Sequence, residues 1–287
     1  MERSVKGAAL TALALLAFAG NSVLCRVALT RSSIDAASFT SIRLLAGAAT
    51  LAALLRLRRT AAISPSAGSW VSAFALFVYA AAFSFAYTRL TTGTGALLLF
   101  GAVQATMITA GFLAGERLTG VQWAGLMLAY GGLVALVLPG LSAPPVPAAL
   151  LMLTAGVAWG AYSLRARGVG DPTAVTAGNF LRTIPITLAL SAIFLTSHRV
   201  DWPGSVLAVA SGAITSGLGY AIWYSALRQI QATTAATVQL SVPVLAALAG
   251  VLLLHEPLTL RLVFCGTVIL GGVALVLQAR RTAAHDE

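Results

Sequence analysis

Long apolar runs separated by short polar breaks make up most of the chain. A helix needs about 20 predominantly apolar residues to cross a bilayer, and runs of about that length recur ten times. They lie at residues 7–29, 36–55, 69–88, 91–114, 119–138, 147–165, 174–196, 203–226, 232–254 and 260–278. Because the connections are short, neighbouring spans must run antiparallel. We therefore predict an all-α polytopic membrane protein with ten transmembrane helices.

The first apolar run begins as a secretory signal peptide would. Lys6 precedes it, and Ala17-Phe18-Ala19 matches the A-x-A cleavage pattern. The run nevertheless continues past Ala19 to Leu29, and it has a counterpart in the second half of the chain. We interpret residues 7–29 as the first membrane span.

Composition excludes an ordinary soluble protein. Of the 287 residues, 59% are hydrophobic and 9% are charged, whereas about a quarter of the residues in a soluble domain are charged. A net charge of +10 would favour nucleic-acid binding in a soluble protein, but the bases here are scattered between apolar runs. Cys25 and Cys265 lie inside such runs without metal-ligand spacing, so we predict no disulfide, no metal and no cofactor.

The loop charges predict an orientation. Cytoplasmic loops carry an excess of Lys and Arg, and a cytoplasmic N-terminus places eleven bases on that side against four on the other. The eleven are Arg3, Lys6, Arg56, Arg58, Arg59, Arg117, Arg165, Arg167, Arg228, Arg280 and Arg281; the four are Arg31, Arg89, Arg199 and Arg261. We predict that both termini are cytoplasmic and that the membrane is a bacterial inner membrane.

The chain contains an internal repeat. A shift of 140 residues lays 115–119 (GERLT) over 255–259 (HEPLT), and 130–133 (YGGL) over 270–273 (LGGV). Five spans per half is an odd number, so the second half is predicted to be inverted relative to the first. Inverted repeats are typical of transporters, with the substrate site where the repeats meet. The first half covers residues 1–140, the second 147–281, and 282–287 form a cytoplasmic tail.

These motifs resemble a known family. The stretch from Y-T-R-L at 87–90 through G-E-R-L-T at 115–119 to G-G at 131–132 resembles the EamA repeat of the drug/metabolite transporter superfamily, and the match recurs at 227–272. The resemblance implies a transporter and not an enzyme, and it specifies no substrate. The aromatic content also resembles that of YddG-type exporters of aromatic amino acids.

The membrane spans contain no Asp or Glu. The carboxylates outside the tails lie at helix ends or in loops, at Asp35, Glu116, Asp171, Asp201 and Glu256. Proton-coupled carriers often relay protons through a membrane-embedded carboxylate. Its absence favours facilitated or exchange transport, although a loop carboxylate or His255 remains available to titrate.

Two arginines lie inside the spans. Arg43 and Arg182 each lie about 10 Å deep at 1.5 Å per residue, and a shift of 139 residues superposes them. Each either snorkels or binds carbonyls of a neighbouring helix, or one of them offers a positive charge to a substrate carboxylate. Arg26 lies closer to a helix end and is expected to snorkel.

Aromatic and amide side chains mark a candidate cavity. Aromatic residues recur at helical spacing in the third, sixth and eighth spans, and two glutamines occupy the fourth and ninth spans, which are symmetry mates. The candidate substrate-binding residues are Tyr79, Phe83, Gln104, Trp159, Tyr162, Arg182, Tyr220, Trp223, Tyr224 and Gln239. Plain packing is the alternative for each of them.

The preferred hypothesis is a carrier that exports amino acids, aromatic or otherwise apolar, or similar small metabolites by alternating access. Its partners would be a small-molecule substrate and membrane lipid, with no nucleic acid, and ten spans suffice for a monomer. The alternative within transport is export of cationic drugs, which aromatic rings bind. An intramembrane enzyme is disfavoured because the sequence lacks a Ser/His pair, H-E-x-x-H and a phosphate-binding loop.

Overall fold

A computed structural model describes residues 2–58, 67–115, 118–140, 142–166, 171–227 and 238–283. Throughout these residues the regular structure is helical. The helices are α1 (Glu2–Arg31), α2 (Ala36–Leu57), α3 (Trp70–Tyr87), α4 (Thr92–Leu113), α5 (Gly120–Val137), α6 (Val146–Arg165), α7 (Pro172–Ile193), α8 (Trp202–Ala210, continued by Ser211–Leu218 and Gly219–Leu227), α9 (Ser241–Leu254) and α10 (Leu260–Ala283), with a short 3-10 turn at Leu195–Ser197.

The described helices confirm a multi-span membrane protein of the all-α class. Within the described ranges, eight helices are long and apolar enough to cross a bilayer, namely α1 to α6, α8 and α10. The helix α9 is apolar but shorter, and residues 232–237 of the predicted ninth span lie outside the described residues. The helix α7 has 22 residues, but polar side chains such as Asn179 and Arg182 dilute its apolar content. Ten spans and an inverted repeat therefore stay predictions.

The connections that follow α1, α3, α5, α7 and α9 meet at one end of the bundle, which we call the Glu256 end. Their contacts run from Arg199 N to Asp35 Oδ2 (2.8 Å), from Thr92 N to Glu256 Oε2 (2.7 Å), from Arg31 Nη2 to the Leu253 carbonyl (3.3 Å) and from Arg261 Nη1 to the Leu138 carbonyl (2.6 Å). At the opposite end, Arg165 Nε donates to Ser72 Oγ at 3.2 Å. Consecutive helices thus run antiparallel, as the short connections predict. The predicted orientation would put the Glu256 end outside the cell. Among the bases predicted to be cytoplasmic, four lie outside the described residues: Arg59, Arg117, Arg167 and Arg228.

Local signals in the sequence fix where some helices begin and end. The spacing Thr119-x-x-Gln122 predicts a capping box at the start of α5. The structure confirms it: the Thr119 hydroxyl accepts from Gln122 N at 3.3 Å, and the Gln122 side chain accepts from Thr119 N at 2.8 Å. Gly115 follows the C-terminus of α4 with a φ of 96°, a left-handed conformation that suits glycine and ends a helix.

Small residues let helices approach closely. The spacing Gly156-x-x-x-Gly160 predicts tight packing, and a Cβ on Gly156 would lie 2.6 Å from both the Leu99 carbonyl oxygen and the Ala102 Cβ. The spacing Gly111-x-x-x-Gly115 also predicts tight packing, but a Cβ on Gly115 would meet no atom of the described residues within 4 Å. Gly115 serves as a helix end and not as a packing surface.

The helices α5 and α10 cross at a pair of glycines. A Cβ on Gly125 would lie 2.5 Å from the Gly272 carbonyl oxygen, and a Cβ on Gly272 would lie 2.5 Å from the Gly125 carbonyl oxygen. Neither obstacle is a flexible side chain, so a larger residue at either position must push the two helices apart.

This crossing yields a matched test of packing. Gly272→Val should destabilise the protein by about 1–3 kcal/mol through overpacking, seen as a melting temperature several degrees lower in detergent. The neighbouring Gly271→Val is the control, because a Cβ there meets nothing within 4 Å. Equal melting temperatures for the two variants would contradict the crossing.

Candidate functional site

A cluster of aromatic rings joins the two halves of the chain. Trp159 of α6 lies at its centre, with ring centroids 4.8 Å from Tyr79 of α3, 5.4 Å from Tyr162 of α6 and 4.9 Å from Tyr220 of α8. Phe83 extends the cluster along α3, 5.6 Å from Tyr79. Most of these contacts are tilted, the arrangement that aromatic quadrupoles favour. We call these five residues the Trp159 cluster.

The Trp159 cluster lines a small cavity. Its walls are Phe18, Asn21, Tyr79, Phe83, Leu99, Phe100, Trp159, Thr215 and Tyr220. The cavity volume is about 20 Å³, enough for about one water molecule. An amino acid does not fit this volume unless the walls move apart.

The candidate residues divide into those on the cavity and those away from it. Tyr79, Phe83, Trp159 and Tyr220 line it together. The remaining aromatic candidates pack around its periphery: Tyr162 stacks on Trp159, Trp223 lies 5.7 Å from Phe18, and Tyr224 packs against the core. Gln104 is buried in α4 and Gln239 is half-buried just before α9, and neither belongs to the cavity wall.

The Arg182 side chain binds backbone carbonyl groups. Its Nη1 donates to the carbonyl of Ala67 and, at 3.0 Å, to the carbonyl of Gly178. The side chain thereby ties α7 to the segment that leads into α3. Of the two interpretations that the sequence allows, this geometry matches the binding of carbonyls on a neighbouring element.

Arg43 lies beside the cavity, buried among aromatic rings. Its side chain is 1% exposed, and its Cζ lies 5.2 Å from the Tyr79 ring centroid and 4.9 Å from that of Phe83. Nη2 donates to the Tyr79 hydroxyl at 3.0 Å and Nε donates to Ser216 Oγ at 3.3 Å. Within the described part of the chain, Nη1 has no hydrogen-bond acceptor.

A polar network connects Arg43 to α1. The Asn21 amide donates to the Tyr79 hydroxyl at 3.3 Å, and Asn21 Oδ1 accepts from Ser211 Oγ at 2.7 Å. The Tyr79 oxygen thus accepts from both Asn21 and Arg43, which leaves its own proton to be donated elsewhere. The network spans four helices: the Tyr79 hydroxyl of α3 joins α1 to α2, and Asn21 and Arg43 each bond a serine of α8.

The helix α8 is irregular where it meets this network. Residues Ser211–Leu218 form a π-helical segment, a distortion that occurs frequently at functional sites. The segment contributes Ser211 and Ser216 to the network, and Thr215 to the cavity wall. A Cβ on Gly212 would overlap the Arg43 carbonyl oxygen, so the glycine lets α8 approach α2 at the depth of Arg43.

An ion pair at the Glu256 end joins α1 of the first half to the segment that follows α9 in the second half. Arg26 Nε lies 3.0 Å from Glu256 Oε1, and Arg26 Nη1 donates to the Tyr87 carbonyl at 2.9 Å. Glu256 Oε2 accepts from Thr92 N at the start of α4, where a negative charge is favourable. The expectation that Arg26 snorkels is wrong, because a partly buried carboxylate from the other half pairs with it.

The contribution of α1 to the cavity wall is not among the sequence predictions. Asn21 is a polar residue inside a span, and for such a residue a hydrogen bond to another helix is the default interpretation. Phe18 lies three residues earlier on the same face, a spacing that reveals the pair once Asn21 is taken as a wall residue. No spacing in the sequence indicates that the other wall residues, Leu99, Phe100 and Thr215, line the cavity.

A larger groove opens elsewhere on the molecule. It has a volume of about 550 Å³ and lies between α4, α5 and α6, with Tyr130, Leu133, Leu153 and Val157 among its lining residues. Its walls are almost entirely apolar and it is open on one side. This groove suits lipid acyl chains, because among the described residues of its lining Thr106 and Tyr130 are the two with polar side chains.

Comparison with known proteins identifies relatives along the whole chain. A family model described as the EamA-like transporter family matches residues 146–278, which is the second predicted repeat. An uncharacterized protein of Pseudomonas aeruginosa is 59% identical over 97% of this chain and 96% of its own length. An uncharacterized transporter of Archaeoglobus fulgidus is 26% identical over 72% of this chain and 75% of its own. A crystal structure of a protein whose function its description does not give matches 97% of this chain and 99% of its own, with a TM-score of 0.66 and 23% identity, and shows likeness of fold alone.

The ion pair yields a test of closure that uses a natural reporter. Cys25 is fully buried beside Arg26, so its reaction with a maleimide reports opening of this region in a protein whose other cysteine, Cys265, is replaced by Ser. Glu256→Gln should speed labelling of Cys25 by roughly fivefold, corresponding to about 1 kcal/mol for a partly exposed ion pair.

Asp171→Asn is the matched control, because it removes a carboxylate that caps α7 at the opposite end of the bundle. Its labelling rate should equal that of the protein with Glu256 intact. An unchanged rate in Glu256→Gln would show that the ion pair does not hold this end closed.

Proposed function

The chain belongs to the EamA-like transporter family, and from this premise we propose that it exports amino acids or similar small amphipathic metabolites across a cell membrane. The observation that carries the proposal is the Trp159 cluster, where rings from α3 of the first half meet rings from α6 and α8 of the second half. A site between two halves is where repeat transporters bind their substrates.

The chemistry of the cluster favours substrates with an aromatic or other apolar side chain. The Trp159 ring makes tilted contacts with the rings of Tyr79 and Tyr220, and a flat substrate ring inserted between them would replace those contacts with similar ones. This feature supports the narrower hypothesis, drawn from the resemblance to YddG-type exporters, that aromatic amino acids are among the substrates.

Alternating access is the mechanism that the closed cavity favours. A volume of about 20 Å³ holds no amino acid, so the halves must separate around Trp159 to admit one. In our proposal the first five helices and the last five form inverted repeats that rock against each other, opening the cluster to one side of the membrane at a time. The Arg26–Glu256 pair would break when the Glu256 end opens.

Facilitated or exchange transport is the proposed energetic mode. The membrane spans contain no Asp or Glu, so a proton relay through a membrane-embedded carboxylate has no candidate residue in the sequence. We propose that both termini face the cytoplasm of a bacterial cell and that the substrate leaves through the Glu256 end.

Export of cationic drugs is the second candidate. Aromatic rings attract cations, and the Trp159 cluster offers several. Against it stands Arg43, whose guanidinium lies on the Tyr79 and Phe83 rings and already occupies their attractive faces. Its positive charge would repel a second cation, so the geometry favours substrates that are neutral overall or negative.

Reconstitution tests the proposal directly. Proteoliposomes containing the purified protein should take up labelled aromatic amino acids faster than empty liposomes, with or without a pH gradient. Trp159→Ala should lower the rate at least about tenfold, because three aromatic contacts worth about 0.5–1.5 kcal/mol each are lost.

Trp123→Ala is the matched control. Trp123 is exposed, packs on Phe112 at 5.2 Å and lies away from the cavity, so its removal should leave transport unchanged. Transport of a cationic dye without transport of any amino acid would overturn the proposal, as would full activity of Trp159→Ala.

A further inference from the structure

We propose that Arg43 and Tyr79 form an anchor for a carboxylate, so that the transported molecules are small monocarboxylic acids with an apolar or aromatic side group. The inference rests on the proposed transport function and narrows its substrate class. It begins with the charge of Arg43, because an arginine side chain in a protein stays protonated.

The electrostatic environment of Arg43 differs from that of the other arginines near the bundle interior. Arg26 has Glu256 as a partner, and Arg182 donates to backbone carbonyls. Arg43 is 1% exposed, yet among the described residues no carboxylate pairs with it; its hydrogen-bond partners are two neutral hydroxyl groups, those of Tyr79 and Ser216. A charge so deeply buried without a counter-ion is costly and typically marks a functional site.

Beside the cavity, one hydrogen-bond donor of the described residues lacks an acceptor, and the oxygen of a neighbouring hydroxyl already accepts two hydrogen bonds. Within the described ranges, Nη1 of Arg43 has no partner. The hydroxyl oxygen of Tyr79 accepts from both Asn21 and Arg43, so its remaining capacity is that of a donor. A guanidinium N–H and a phenol O–H together match the two oxygens of a carboxylate, and both hydrogen bonds would be charge-assisted.

The position of these donors orients the ligand. Tyr79 and Asn21 line the cavity from α3 and α1, and Arg43 lies directly behind Tyr79 and Phe83. Trp159 and Tyr220 line the cavity from α6 and α8. A bound acid would therefore turn its carboxylate towards Arg43 and its apolar side group towards Trp159.

The same geometry makes the amino group of an amino acid dispensable. The cavity wall contains no Asp or Glu side chain to hold an ammonium group, as judged from the residues that the structure describes. An ammonium group would meet aromatic faces, the neutral hydroxyls of Thr215 and Tyr220, and the amide oxygen of Asn21, which already accepts from Ser211 and Thr215. Recognition should therefore depend on the carboxylate and the side group, so that 3-phenylpropanoate is accepted as well as phenylalanine.

Arg43 also couples occupancy to the conformational cycle. Closing an empty cavity leaves the guanidinium without a counter-ion, whereas closing it around a carboxylate neutralises the charge. The loaded protein should pass through the closed state more readily than the empty one. Exchange of substrate across the membrane should then be faster than net flux.

The decisive experiment compares ligands on the unmodified protein before any substitution. Competition against labelled phenylalanine in proteoliposomes is measured with 3-phenylpropanoate, phenylalaninamide and phenethylamine. The acid should compete within about threefold of phenylalanine itself, while the amide and the amine should be weaker by about 10- to 100-fold, the range expected for a hydrogen-bonded charge pair. Equal competition by the amide or the amine would overturn the inference. This experiment uses only the unmodified protein, so its result does not depend on whether a variant folds.

Substitutions then locate the anchor. Arg43→Gln should weaken the apparent affinity for phenylalanine by about 10- to 100-fold and abolish the preference for the acid over the amide. Arg43→Lys should be intermediate, because lysine keeps the charge and loses the planar fork. Tyr79→Phe should weaken the affinity for phenylalanine several-fold while the ring contacts remain. Arg182→Gln is the matched control at the symmetry-related position and should keep the preference for the acid. An unchanged preference for the acid in Arg43→Gln, in protein that elutes and melts normally, would overturn the assignment.

The outcomes separate this inference from the proposed function. Transport of amino acids and of their amides, unchanged in Arg43→Gln, would overturn the carboxylate anchor and support the proposed transport function. Transport of 3-phenylpropanoate but of no amino acid would support the anchor and overturn the proposed cargo. Acceleration of efflux by external phenylalanine in the unmodified protein, lost in Arg43→Gln, is expected from the coupling; equal acceleration in both would contradict it.

Discussion

The burial of one permanent charge constrains the rest of the bundle. The Arg43 guanidinium cannot lose its proton, and water is nearly excluded from it, so neighbouring helices must supply its partners. The hydroxyl of Tyr79, the hydroxyl of Ser216 and two ring faces do so. These partners bring α3 and α8 to α2, and Gly212 permits the approach by presenting no side chain to the Arg43 backbone.

From that charge a line of contacts leads to the closed end of the molecule. Arg43 lies on Phe83, the Phe83 ring lies 4.7 Å from the Tyr87 ring, and the Tyr87 carbonyl accepts from Arg26, which pairs with Glu256. The first half contributes every member except Glu256. One connected set of contacts thus joins the site to the Glu256 end and crosses between the halves at the Arg26–Glu256 pair.

How far the sequence alone reaches depends on the kind of information each feature requires. Helix positions follow from apolar run lengths, and the α5 cap follows from Thr119 and Gln122, because both are local properties. Depth in the membrane is also local, so Arg43 and Arg182 appear equivalent. Which way each points is not local: Arg182 meets the carbonyl of Ala67, whereas Arg43 meets rings. Glu256 likewise reaches the start of α4, a contact between segments 164 residues apart that no periodicity encodes.

We propose that the Trp159 cluster and Arg43 form one binding site between the two halves. A structure of the purified protein with phenylalanine bound would test this proposal. Density for phenylalanine is expected between Tyr79, Trp159 and Tyr220 in a cavity wider than about 20 Å³, with the carboxylate within hydrogen-bonding distance of Arg43. Phenylalanine bound in the apolar groove between α4, α5 and α6, or in the cluster with its carboxylate turned away from Arg43, would contradict it.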